Sequence, residues 1–122
     1  MECSKIEIVL PIQINNELSL NRIYTGTHWR QRKNDADYFH NVVKFELISS
    51  NIPKKVFENP VRIKFFWNTG FDLDNHGYVA KLIIDGLKGF LIRNDDKKYV
   101  KEINHAYWDG NGVKLEISEY KI

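Results

Sequence analysis

Asp72 and Asp74 stand one residue apart in the stretch Gly70-Phe71-Asp72-Leu73-Asp74-Asn75-His76-Gly77. On extended backbone, side chains at i and i+2 project to the same side, so both carboxylates can reach one hard cation. A run with strand character precedes the stretch and one with helix character follows it, and turns held between rigid elements are usual places for function. Plainer roles exist for the same residues. Both aspartates can be loop residues, and Asp74 or Asn75 can cap the helix, where the N-terminal dipole favours negative charge. The spacing Asp72-x-Asp74-x-His76-Gly77 also echoes a calcium loop. An EF-hand, however, needs Asp or Asn at its fifth place and a bidentate Glu at its twelfth, where this chain has His76 and Ile83. A phosphatase with an aspartyl nucleophile needs a larger scaffold than 122 residues supply.

Further groups complete a set. Lys81 follows Asp74 by two helical turns, about 10 Å along nearly the same face. Its ordinary role is an i, i+4 pair with Asp85. Asp95 and Asp96 follow the helix and precede another strand, where a surface turn is the ordinary role. Taken together, strand, Asp-x-Asp, helix with Lys, loop and Asp-Asp describe a carboxylate metal site with a positioned ammonium. Hard oxygen donors suit Mg²⁺ or Mn²⁺ rather than Zn²⁺. Cys3 is the only cysteine, so neither an intrachain disulfide nor a cysteine-rich zinc site can form. His28, His40, His76 and His105 show no ligand spacing with it.

The elements that must hold these groups are legible from periodicity. Lys5 to Gln13 reads as an opening strand. Arg30 to Ser49 reads as a helix with Phe39, Val43 and Ile48 near one face. In Pro60 to Trp67, Val61, Ile63 and Phe65 alternate with Arg62 and Lys64, which is a strand. Val79, Leu82, Ile83 and Leu87 form a helical stripe that ends at Gly89, a candidate C-cap. Tyr99 to Trp108 and Val113 to Tyr120 read as strands joined in a hairpin by Asp109-Gly110-Asn111-Gly112, residues that tolerate positive φ. Trp67 and Trp108 read as core or interface. The expected fold is α+β: one two-layer domain over residues 1–122, a mixed four-stranded sheet with two helices, in the order β-α-β-α-β-β.

Composition bounds the rest. Eighteen basic against sixteen acidic side chains leave +2, too mild a balance to imply a nucleic-acid partner by itself. Distribution says more. Arg22, Arg30, Arg32 and Lys33 form one basic run free of acids, and Arg93, Lys97, Lys98 and Lys101 surround Asp95-Asp96. These charges are candidates for binding a phosphate backbone, or simply solvated faces. Tyr24, His28 and Trp29 are candidates for stacking on exposed bases, or for pinning their segment to the core. No apolar run approaches the ~18 to 20 residues of a membrane span, and the N-terminus does not read as a signal peptide. A soluble protein of the cytoplasm is expected.

The segment FDLDNHGYVAKLIIDGL (71–87) followed by Asp95-Asp96 resembles the signature of the RusA-type Holliday-junction resolvases, small endodeoxyribonucleases of bacteria and their prophages. SLNRIYTGTHW (19–29) resembles the family's N-terminal Asn-Arg-aromatic segment, and the terminal strands with KLEISEY (114–120) fit as well, so nearly the whole chain is covered. The resemblance implies a Mg²⁺-dependent enzyme, with Mn²⁺ as a substitute, that cuts branched four-way DNA. It places Asp72, Asp74 and Asp96 in the roles of the catalytic, metal-holding aspartates, with Asp95 assisting and Lys81 as the functional lysine. Lys81 lies nine residues after Asp72, farther along than in familiar members, while its spacing to Asp85 is kept. Arg22, Arg30, Arg32, Lys33, Lys97, Lys98 and Lys101 are the expected DNA contacts. Because a junction must be cut twice and symmetrically, one site per chain implies a two-fold homodimer. The competing readings are a basic binding module that holds nucleic acid without cutting it, and a metal-dependent nuclease acting on other branched DNA.

Overall fold

Alternating apolar residues give each strand one face to bury, and two amphipathic helices supply the cover. The computed structural model describes residues 5–15, 18–19, 23, 29–54 and 56–120. Its elements are β1 (Lys5–Leu10), α1 (Trp29–Ser49), β2 (Val61–Trp67), a 3₁₀ turn (Leu73–His76), α2 (Gly77–Leu87), β3 (Val100–Tyr107) and β4 (Val113–Glu119). This is the expected α+β order. The strands form one mixed sheet in the order β1-β4-β2-β3, with β3 parallel to β2 and β4 antiparallel to both β1 and β2.

The period-2 pattern decides which side of the sheet is covered. Val61, Ile63, Phe65 and Trp67 of β2 are buried, in line with Ile8 and Leu10 of β1 and Val113, Leu115 and Ile117 of β4. Arg62, Lys64 and Phe66 point to the open side. From above, α2 contributes Val79, Leu82, Ile83 and Leu87, as its stripe predicts. The helices approach closely where α2 has Gly86, since a Cβ there would lie 3.1 Å from the Cβ of Val43 on α1. Tyr78 adds a polar tie, its hydroxyl donating to Asp35 Oδ2 at 2.9 Å. Gly89, at φ +77, follows the last turn of α2 as a left-handed terminator.

Two sequence expectations are corrected. On α1 the buried set is Phe39, Val43 and Leu47, spaced i, i+4 and i+8, whereas Ile48 is exposed. The stripe follows a single helical row, which Ile48 leaves by one residue. The terminal strands also do not form a hairpin. β3 and β4 lie on opposite edges of β2, because the α2 crossover sets β3 parallel to β2 and leaves the other edge for β4. Asp109-Gly110-Asn111-Gly112 therefore bridges over the end of β2. Trp108 N donates to Trp67 O at 2.9 Å, Asn68 Nδ2 to Gly110 O at 2.8 Å, and Trp108 Nε1 to Gly112 O at 3.1 Å. The turn lies where the sequence places it, with Gly112 alone of the four at positive φ, but the strands it joins do not pair, since Asp-Gly and Asn-Gly specify local backbone rather than the neighbour of a strand.

Gly112 has φ +84, and a Cβ there would collide with the Leu10 carbonyl oxygen. Gly112→Ala should therefore lower the unfolding free energy by about 1–3 kcal/mol in urea titrations. Gly70→Ala, where a Cβ would meet nothing within 4 Å, should stay within about 0.5 kcal/mol of the parent.

Candidate functional site

The chain between β2 and α2 is anchored by aromatic stacking. Trp67, fully buried at the end of β2, stacks on His76 with ring centroids 4.4 Å apart, and Phe71 stacks on His76 at 4.3 Å. His76 is itself fully buried. Its Nδ1 lies 3.0 Å from Leu73 O, which can only accept, so Nδ1 carries the proton. Nε2, 2.7 Å from Thr69 Oγ1, then accepts from the hydroxyl. The ring is neutral with both nitrogens satisfied. Burial pushes its pKa down against smaller upward effects from Leu73, Asp72 and Asp74.

A second imidazole supports the first from β3. Trp67 Nε1 donates to His105 Nδ1 at 2.9 Å, which requires that nitrogen to be unprotonated. Burial, and secondarily His76, also push His105 down. Tyr107, two residues further on, donates from its hydroxyl to Phe71 O at 2.6 Å. The acidic loop is thus tied to the central strand β2 and to the edge strand β3.

Its two aspartates are left facing outward. Asp72 opens the 3₁₀ turn at φ −64, ψ 152, with its carbonyl accepting from Asn75 N at 3.0 Å and its side chain making no capping bond. Asp74 lies in the first turn of the same element, and both are exposed. No ion pair between described residues involves either of them. α2 begins one residue later than the capping argument expects, with His76 at its N-cap position and no side-chain cap bond.

Lys81 makes the i, i+4 contact with Asp85 at 3.6 Å and reaches Asp95 at 4.0 Å. Lys88, which the sequence analysis left aside, lies 3.1 Å from Asp85 and 3.3 Å from Asp95. The result is a ring of alternating charge that docks the loop after α2 onto the helix. Burial would raise the Asp95 pKa, but the hydrogen bond and charge of Lys88 hold it below the usual value. Lys88 is raised, first by its hydrogen bond to Asp85. Asp96 is exposed and spends Oδ1 on Lys98 N at 2.9 Å, while its carbonyl accepts from Tyr99 N and Val100 N. It builds the turn into β3.

Between α2 and β3 lies a cleft of about 230 Å³. Gly77, Ala80, Lys81 and Ile84, at i, i+3, i+4 and i+7, form one wall, with Val100, Ile103, His105 and Asp95 around the rest. The fold thus gathers Lys81 and Asp95 over one cleft. It does not gather the four aspartates: among the described residues no three His, Cys, Asp or Glu side chains form a group able to hold a metal ion. The sequence expectation of one shared side is corrected: Asp74 lies in a 3₁₀ turn rather than on extended backbone, so i, i+2 spacing does not aim both carboxylates one way, although each remains a hard oxygen donor without a counter-cation among the described residues.

Arg30, Arg32 and Lys33 are exposed at the start of α1, with Lys33 held by Asp37 at 3.2 Å and the Arg30 guanidinium 5.6 Å over the Trp29 ring. Lys97, Lys98 and Lys101 are exposed around the turn that Asp96 forms. Arg22, Tyr24 and His28 lie outside the described residues. Sequence reasoning missed the supports: His76, His105, Tyr107 and Lys88. One signal existed for His105, since a histidine in phase with an alternating strand is placed on the covered face. No family model matches the chain, and no curated protein matches it either.

The buried His76 and the half-buried His105 both have folded-state pKa values below the 6.5 of the free side chain. Below that pH the unfolded chain takes up protons that the folded chain refuses. The associated stability is therefore complete above pH 6.5 and declines as pH falls toward the depressed values. Urea midpoints measured from pH 7.5 downward should fall through this window, and a midpoint that rose on acidification would contradict the neutral pair.

Proposed function

We propose that the chain is a Mg²⁺-dependent endodeoxyribonuclease that resolves four-way DNA junctions by paired, symmetric phosphodiester hydrolysis, acting as a homodimer. The observation that carries this reading is the Asp72-Leu73-Asp74 turn between β2 and α2, whose two exposed carboxylates enter no ion pair among the described residues and which leads directly into the helix whose Lys81 meets Asp95 over a cleft. The resemblance of segment 71–87 and Asp95-Asp96 to the RusA-type signature supplies the substrate class.

Phosphodiester cleavage needs an activated water, charge relief on the transition state and a stabilised leaving oxygen. Asp72 and Asp74 would offer the oxygen donors for the cation; Asp95 and Asp96 do not join them in one group among the described residues. When bound, such an ion polarises phosphate and lowers the pKa of water. Lys81, with 69% of its side chain exposed, is free to lean toward a phosphate and neutralise developing charge. The ring of Lys81, Asp85, Lys88 and Asp95 sums to zero. The uncompensated local charge is that of Asp72 and Asp74, which repels phosphate until a cation reverses the sign. Arg30, Arg32, Lys33, Lys97, Lys98 and Lys101 would bind the backbone of the arms, with affinity falling steeply as salt rises.

A second reading has a specific observation in its favour. Because three carboxylates do not converge among the described residues, the chain can instead be a basic module that holds branched nucleic acid without cutting it. One gel separates the readings. With a labelled synthetic four-way junction, the enzyme gives paired nicks only when Mg²⁺ or Mn²⁺ is present, and a linear duplex stays intact. Preferential cutting of flaps or forks would shift the substrate to other branched DNA. Asp72→Asn and Asp74→Asn should each lower cleavage by about a hundredfold or more while junction binding persists. Binding without cleavage under every metal condition, or wild-type turnover by both variants, would overturn the nuclease.

A further inference from the structure

The cleft between α2 and β3 is walled largely by aliphatic side chains. Ala80 and Ile84 stand on the helix side, and Val100 and Ile103 on the strand side. Because β3 is an edge of the sheet and Ile103 keeps 45% of its surface exposed, the cleft opens to solvent there. Lys81 and Asp95 also line it, but both are spoken for in the ring of charge with Asp85 and Lys88. His105 is different. Its Nδ1 accepts the indole proton of Trp67, so in the neutral ring Nε2 carries the hydrogen, and that donor makes no hydrogen bond to a described residue.

We propose that this cleft receives one unstacked nucleobase, with the aliphatic walls against its faces and the His105 Nε2–H donating to an acceptor on its edge. Size selects first. Pockets for drug-sized ligands run to about 300–1,000 Å³, whereas a cleft of about 230 Å³ suits something nearer a single base. Charge selects next: a ring of lysines and aspartates that sums to zero offers an ion no net attraction, and a base is neutral. An apolar slot with one hydrogen-bond donor is also the usual way of holding a base taken out of its stack. Position ties the base to the chemistry. Gly77, the first residue of α2, lines the cleft, and Asp74 precedes it by three residues, about one helical turn. A nucleotide whose phosphate approaches the acidic turn thus finds a receptacle for its base along the same helix. Base capture deepens the nuclease reading and rests on it, yet it can be measured without cutting.

The test is an NMR titration of the nitrogen-15-labelled chain, free of divalent metal, with each deoxynucleoside monophosphate in turn and with inorganic phosphate as control. Nucleotides should shift the amide signals of Ala80, Ile84 and Ile103 together with the His105 ring signal, and phosphate alone should leave them in place. Ile103→Trp puts a large ring into the cleft from an exposed position, so it should keep the parent circular dichroism while lowering nucleotide affinity by about tenfold or more. Cleft signals that stay still, that move equally with phosphate, or that respond as strongly in Ile103→Trp overturn base capture. On a four-way junction with Mg²⁺, Ile103→Trp should cut about tenfold more slowly than the parent. Cutting at the parent rate would remove the base site and leave the nuclease standing. Nucleotide binding in the cleft by a chain that never cuts would remove the nuclease and leave the base site.

Discussion

A neutral imidazole buried between two aromatic rings is the constraint on which the site depends. His76 can occupy that place only because a carbonyl takes its one proton and a hydroxyl supplies its other nitrogen. A charged imidazolium there could still donate to the Thr69 hydroxyl oxygen, but it would face desolvation without a paired anion. With both nitrogens satisfied, the ring packs as an apolar plate between Trp67 and Phe71. The loop is then held by two strands at once, through Trp67 from β2 and through His105 and Tyr107 from β3. Asp72 and Asp74 are carried outward on this anchored segment, which places polar chemistry on a rigid base.

The position of β2 follows from the same economy of burial. Its inward face is apolar at every alternate residue, and both its edges are paired, by β3 on one side and β4 on the other. Both helices lie over one face, so the side bearing Arg62, Lys64 and Phe66 stays open. Those groups are settled locally: Arg62 pairs with Glu102 at 3.0 Å, and the Lys64 ammonium lies 4.9 Å over the Phe66 ring. The cost of an open sheet face is thereby spread over many small surface interactions, each worth a fraction of a kcal/mol to about 1 kcal/mol.

The acidic residues divide into two populations with different physics. Asp85 and Asp95 are partly buried, each is met by two lysines, and together they close the loop after α2 onto the helix. Asp72 and Asp74 are exposed and have no such partners. A carboxylate already neutralised by lysine is a weaker candidate for a cation than one that is not. This places the stronger claim to metal binding on the loop between β2 and α2, and it gives Asp95 a docking role, with Lys88 as the residue that enforces it.

Periodicity alone was enough for the elements. The alternation in 61–67, the i, i+3, i+4, i+8 stripe of α2 and the glycine after it are local signals, and local backbone preferences act wherever the chain goes. The Lys81–Asp85 contact was legible for the same reason, being a fixed consequence of helical spacing. What lay beyond reach were the relations between distant segments. The pairing of β4 with β2 rather than β3, the choice of Leu47 over Ile48, and the meeting of His76 with Trp67 and Phe71 all depend on which surfaces exclude water together. A one-residue step along a helix moves a side chain by about 100°, enough to carry Ile48 out of the core while its neighbour Leu47 is fully buried. Burial is a property of the assembled layers, and it determined which histidine became a structural plate, which aspartates were neutralised, and which two were left to face solvent.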